Sequence, residues 1–144
     1  MRYAIAGAVL LLLTACGNPA PVAMAPPGQD AAGKRFDPAP PGMAAVYFYN
    51  PTEAAPAINV TVGPMVIGTL APMSYMRVEL GAGWHAMSCQ TYNSTSPSSI
   101  TVAPGQMRFV DVEMPPGAPA CSLRETSPDV GRAAVLAGAR AMQY

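Results

Sequence analysis

Ionisable side chains are scarce in this chain. Its 144 residues include eight basic and eight acidic side chains and one histidine, for a formal net charge of zero. With 11% charged residues it has no basic surface on which to gather phosphates, and no acidic excess of the kind that keeps a chain disordered. Nucleic acid is therefore not an expected partner. Cysteine is rare too, at three residues, and none of them forms the Cys-x-x-Cys spacing of thiol exchange. His85, the single histidine, has no second imidazole with which to build a zinc site. No Gly-x-Ser-x-Gly elbow surrounds the serines between Ser94 and Thr101. No metal and no cofactor is expected. A long apolar run is also missing: Tyr3 to Leu13 is uncharged but well short of the ~20 residues that span a bilayer.

What is present begins with an address. Met1 and Arg2 precede that apolar stretch, which stops at Thr14-Ala15-Cys16, the layout of a signal peptide over residues 1–15. The segment Leu13-Thr14-Ala15-Cys16 resembles the lipobox of bacterial lipoproteins at all four positions. The resemblance implies that Cys16 becomes the mature N-terminus and carries fatty acyl groups such as palmitate. Two or three chains hold a protein on a membrane where one does so only reversibly. Gly17 stands where an aspartate favours inner-membrane retention in Gram-negative lipoproteins, which implies an outer-membrane anchor facing the periplasm, with surface exposure as a variant. Removing Met1 to Ala15 leaves seven basic and eight acidic residues, a formal charge of −1.

From Gly17 to Pro41 the chain is rich in proline, alanine and glycine and follows neither strand nor helix periodicity, so residues 16–41 are expected to form an extended, stiff tether. After it, short β-branched and aromatic runs alternate with glycine, proline and asparagine. Strands are expected at Ala44 to Tyr49, Ile58 to Val62, Met65 to Leu70, Tyr75 to Leu80, Trp84 to Tyr92, Ser98 to Val102, Met107 to Met114 and Cys121 to Glu125. The period is two: Ile58, Val60 and Val62 share one face, and Val110, Val112 and Met114 another. Phe109, Asp111 and Glu113 take the opposite face, expected on the solvent side, with Arg77, Glu79, Asp111 and Glu113 as surface partners. Gly81-Ala82-Gly83 is expected to close a hairpin. Ser127-Pro128-Asp129 starts a helix rich in alanine, with Val130, Ala134, Ala137 and Ala141 along a narrow face suited to close docking on a sheet. The expected fold is mainly β, a small antiparallel sandwich of seven or eight strands over residues 42–144 with a short C-terminal helix.

With Cys16 assigned to lipid, Cys89 and Cys121 form an even pair in an oxidising compartment, and a disulfide between them is expected; two buried thiols are the alternative. His85 adjoins Trp84 after a glycine turn and is expected to hydrogen-bond across the turn; a hydrolase-like role for it would need a supporting triad that the sequence does not offer. Aromatic side chains mostly suit a core or a sheet edge. Tyr47 and Tyr49 share a face opposite Val46 and Phe48, and with Trp84 and His85 they form the candidate binding surface.

The order Val46-Tyr47-Phe48-Tyr49, Asn59-Val60-Thr61-Val62-Gly63, Ile67-Gly68-Thr69-Leu70, Ser74-Tyr75-Met76-Arg77-Val78 and Gly83-Trp84-His85 resembles an uncharacterised bacterial lipoprotein family, a domain of unknown function with a PEGA-like β-sandwich pattern. The resemblance runs from Ala44 to Glu125. Gly63-Pro64 departs from the Asp-Gly often found at that turn, and the two cysteines are additional. It implies a fold and an envelope location, without an activity. Together these features lead to the expectation of a lipid-anchored, non-enzymatic envelope module that binds an envelope protein or a cell-wall glycan.

Overall fold

A computed structural model gives the structure of residues 21–144. The signal segment and Cys16 lie outside the described residues. Strand β1 (Met43–Asn50) is the organising element. Its run Ala44 to Tyr49 contains no polar side chain except the two tyrosine hydroxyls, and every residue from Ala44 to Asn50 is buried. A strand apolar on both faces has to be covered on both faces.

One cover is a second sheet. β1 lies in a five-stranded sheet with β4 (Ser74–Gly81), β7 (Met107–Glu113), β8 (Ser122–Thr126) and the two-residue β9 (Ala139–Arg140), in the order β8-β7-β1-β4-β9. The partner sheet holds β2 (Ile58–Val62), β3 (Met65–Leu70), β5 (Gly83–Gln90) and β6 (Thr95–Val102), in the order β3-β2-β5-β6. Val46, Phe48, Met76, Val110 and Val112 of the first sheet meet Ile58, Val60, Leu70, Met87, Ile100 and Val102 of the second in one core. The fold is thus a small β-sandwich with a short C-terminal helix. The β1–β7 and β4–β9 pairings are parallel, so the five-stranded sheet is mixed. Cys89 and Cys121 are joined by a disulfide, Cα to Cα 6.2 Å, which ties β5 to the residue preceding β8 and so links the two sheets.

Helices supply the other cover. α1 (Pro27–Gly33) and α2 (Pro128–Ala137) lie on the outer face of the five-stranded sheet, where Tyr47, Tyr49, Tyr75, Phe109 and Val135 form a second cluster with Phe36 and Ala134 packed against it. Ser127 caps α2, its hydroxyl accepting from the Val130 amide at 3.4 Å. The buried side of α2 is Gly131 and Val135, one position away from the expected face, and Val130 is exposed. The helix stops at Ala137, because the chain then turns into β9 and pairs with β4.

Three further expectations are corrected. The Gly81-Ala82-Gly83 link closes no hairpin: β4 and β5 belong to different sheets, and the link is a corner where the chain changes sheet. The face of Phe109 and Asp111 is not on the solvent side, since α2 packs against β7 and both side chains are buried. The segment before Pro41 is not simply an extended tether. The Ala25 amide donates to Arg140 O (2.8 Å), the Met142 amide donates to Ala23 O (2.9 Å), and α1 forms within the segment. Pro27 tolerates a first-turn position and Gly33 permits close approach to Tyr75, so a proline-rich stretch can fold where the rest of the chain offers it an apolar face.

Candidate functional site

The two sheets divide the polar chemistry unequally. None of β2, β3, β5 and β6 carries an Asp, Glu, Lys or Arg. The charged side chains of the described residues lie on the five-stranded sheet, the helices and the loops, where Arg77 pairs with Glu79 at 2.6 Å, Arg124 with Asp111 at 3.2 Å, and Arg108 with Glu125. Among the described residues, no helix lies over the outer face of the four-stranded sheet.

Alternation decides what that bare face presents. Ile58, Val60, Val62, Met87 and Cys89 point into the sandwich, so Asn59, Thr61, Trp84, Ala86, Ser88 and Gln90 point out. In register across the sheet, Thr69 faces Asn59, Thr61 faces Ser88, Gln90 faces Thr95 and Trp84 faces Thr101. Short hydrogen bonds run over the surface: Thr61 Oγ1 and Ser88 Oγ are 2.7 Å apart, Thr69 Oγ1 donates to Asn59 Oδ1 at 2.6 Å, and the Tyr144 hydroxyl lies 3.1 Å from Thr69 Oγ1. The result is a broad uncharged field of hydroxyl and amide groups. Trp84, 66% exposed, stands at one end. Hydroxyls and amides both donate and accept, and an exposed indole offers a flat face for stacking.

His85, on the opposite face of β5 from Trp84, keeps its Nε2 2.7 Å from the Gly81 carbonyl oxygen across the corner. That bond occupies the nitrogen with a main-chain group. Among the described residues no three His, Cys, Asp or Glu side chains gather in a position to hold a metal ion.

The structure does not bring the four candidate binding residues together. Tyr47 is fully buried and Tyr49 is 2% exposed, both beneath the helices. The Tyr47 ring stacks on Phe109 (centroids 5.1 Å, interplanar angle 17°) and lies 5.5 Å from Phe36; the Tyr49 hydroxyl is 2.9 Å from Thr126 Oγ1. Burial raises the pKa of both phenols, so they remain neutral. These tyrosines are core residues, and an exposed patch built from them is ruled out. A signal was available in the sequence: an eight-residue strand with no charged residue is the pattern of burial on both faces. Trp84 stays exposed, and Thr61, Ser88, Asn59 and Thr69, farther along the same sheet, are the residues that the sequence reading missed. Their signal is the lack of charge in β2, β3, β5 and β6, in contrast to β4 between them, which carries Arg77 and Glu79.

No protein-family model matches the chain, and no curated protein matches it. Among solved structures, the N-terminal domain of AlgF from P. aeruginosa is similar over 62% of this chain and 99% of that one, at 22% identity and a TM-score of 0.42. A likeness at that TM-score says nothing about what the chain does. Among the described residues, no helix is long and apolar enough to cross a membrane.

Proposed function

We propose that the protein is a lipid-anchored lipoprotein of the bacterial envelope, attached to the outer membrane through Cys16, and that it acts without catalysis as an interaction module. The observation that carries this reading is the uncovered, charge-free face of the four-stranded sheet, bordered by Trp84. Its ligand is a glycan of the cell wall. Saturated arrays of hydroxyl and amide groups match sugar hydroxyls, and one exposed indole suits the apolar face of a pyranose ring. Catalysis has less support, because the His85 nitrogen is engaged by a main-chain carbonyl.

Co-sedimentation of the mature lipoprotein with isolated cell-wall glycan tests the reading. Trp84→Ala is expected to reduce the bound fraction by about tenfold, the usual scale for an aromatic hot spot, without changing the melting temperature. Equal binding by the variant would sink the assignment of this face. Crosslinking in envelopes that recovers a protein through Ser88 or Thr61, with no glycan bound, would replace the sugar with a protein partner. A His85→Ala variant that fails to complement a deletion while still folding and binding would reinstate an enzyme.

A further inference from the structure

A second exposed surface has different chemistry. Met24, Pro56, Ala57, Pro72, Met73 and Tyr92 line an open groove of about 710 Å³. No Asp, Glu, Lys or Arg lines it. Tyr92 stands fully exposed at its margin, and Met24 is 40% exposed. Pro21, the first described residue, is itself part of the wall.

The location of that groove is fixed relative to the chain's N-terminus. The Ala25 and Met142 amides bond to Arg140 and Ala23 carbonyls, and Met24 bridges to Ala141, so the chain is part of the fold from Ala23 onward. Only residues 17–20 separate Pro21 from Cys16. Five residue steps reach at most about 18 Å even when fully extended. An acylated Cys16 therefore keeps this end of the domain within about 18 Å of the lipid interface, where the effective concentration of membrane around the groove is high.

We infer that this groove docks on the bilayer surface, with Tyr92, Met24 and the prolines entering the boundary between headgroups and acyl chains. The inference rests on the acylation of Cys16 stated above. Tyrosine suits that boundary because its ring is apolar and its hydroxyl stays hydrated, and the uncharged lining avoids the cost of burying an ion. Docking orients the rest of the molecule. Trp84 and Tyr92 flank opposite ends of β5, with Trp84 to Gln90 spanning roughly 20 Å at the rise of a strand. A groove seated on lipid thus leaves the Trp84 end of the uncharged face pointing away from the membrane.

The test uses the acylated mature chain reconstituted into phosphatidylethanolamine–phosphatidylglycerol vesicles that contain acyl-chain-brominated lipid. Wild type has one tryptophan, Trp84; the double variant Trp84→Phe/Tyr92→Trp moves the single indole to the groove, and both positions are exposed enough to accept the exchange. The double variant is expected to be quenched by bromine at least about twofold more than wild type, as for a side chain seated 5–10 Å into the interface. Anchored protein in which the two proteins are quenched equally, or neither is quenched, overturns the docking and leaves the anchor intact. A mature N-terminus without acyl mass at Cys16 overturns the anchor, and the docking falls with it.

Discussion

The Tyr47 hydroxyl donates a 2.9 Å hydrogen bond to the main-chain carbonyl of Gly33, which fastens the N-terminal helix to the central strand. The Tyr75 hydroxyl makes a parallel bond to Asp30 O, also at 2.9 Å, and the Tyr75 ring occupies the space where a side chain on Gly33 would lie. Tyr47, expected from the sequence to lie on a binding surface, is thus together with Tyr75 the means by which the proline-rich segment is held. Tyr47→Phe keeps the ring and removes the shorter of two bonds to the Gly33 carbonyl, leaving that from the Phe36 amide at 3.4 Å, so it is expected to cost about 0.5–1.5 kcal/mol. Limited proteolysis should show faster cleavage between Pro21 and Pro41 than elsewhere. Unchanged melting together with unchanged cleavage would show that the bond does not hold the segment.

Gly131 supports a prediction that helix propensity alone would get backwards. In an isolated helix, Gly→Ala gains roughly 1 kcal/mol. Here a Cβ on Gly131 would overlap the ring of Phe109, which is 1% exposed and stacked on Tyr47. The ring has no room to retreat, and overpacking of this kind costs about 1–3 kcal/mol. Gly131→Ala should therefore lower the denaturant midpoint, whereas Ala133→Gly, at an exposed site on the same helix, should lower it only by the propensity cost. A stabilised Gly131→Ala protein would mean that α2 can lift from the sheet without penalty.

Eight strands can be read from the sequence because each is a short β-branched or aromatic run with a glycine, proline or asparagine near its end, and several have a face that repeats every second residue. Ile58, Val60 and Val62 were bound to point inward whatever the topology. Which strands are neighbours could not be read in the same way. Gly81-Ala82-Gly83 has the composition of a tight turn, but the same conformational freedom serves a corner between sheets, and only the partners of Val78 and Met87 distinguish the two. The docking of residues 23–36 is likewise invisible locally. Its causes, the Tyr47 and Tyr75 hydroxyls and the Arg140 amide, lie between 14 and 110 residues away in the sequence. The uncharged face was legible as composition, and was overlooked because each of its residues is ordinary by itself.

The Cys89–Cys121 bridge closes a loop with a sequence separation of 32, and it crosses from one sheet to the edge of the other. Chain entropy for a loop of that size gives roughly 3–4 kcal/mol of stabilisation. The paired substitution Cys89→Ala/Cys121→Ala is expected to lose about that much, and thiol titration of the denatured wild type should find neither cysteine free. Two titratable thiols, or a double variant as stable as wild type, would show that the sheets hold together without the bridge.

Two aspartates should respond to acid in opposite directions. Burial would raise the Asp30 carboxyl, but the Lys34 ammonium (2.9 Å to Oδ2), the nearby Tyr75 hydroxyl and the Arg140 amide (2.9 Å to Oδ1) together hold it below its ordinary value. The unfolded chain then binds the proton more readily, so the stability Asp30 contributes is complete above about pH 4 and is lost as pH falls through its lowered folded value. At Asp111, burial and then the neighbouring Glu113 charge raise the carboxyl, outweighing Arg124 at 3.2 Å, and Oδ1 is buried with no hydrogen-bond partner among the described residues. The folded state binds that proton more tightly, so Asp111 costs stability as pH rises from about 4 through its raised folded value. Denaturant unfolding between pH 2 and 7 separates the two. Asp30→Asn keeps an oxygen for the Arg140 amide but gives up the charge, and should lose about 1 kcal/mol at pH 7 with a shallower fall in acid. Asp111→Asn should hold or gain stability at pH 7 and lose the advantage of wild type only at the acid end. Parallel pH curves for wild type and both variants would mean that neither carboxyl is shifted by folding.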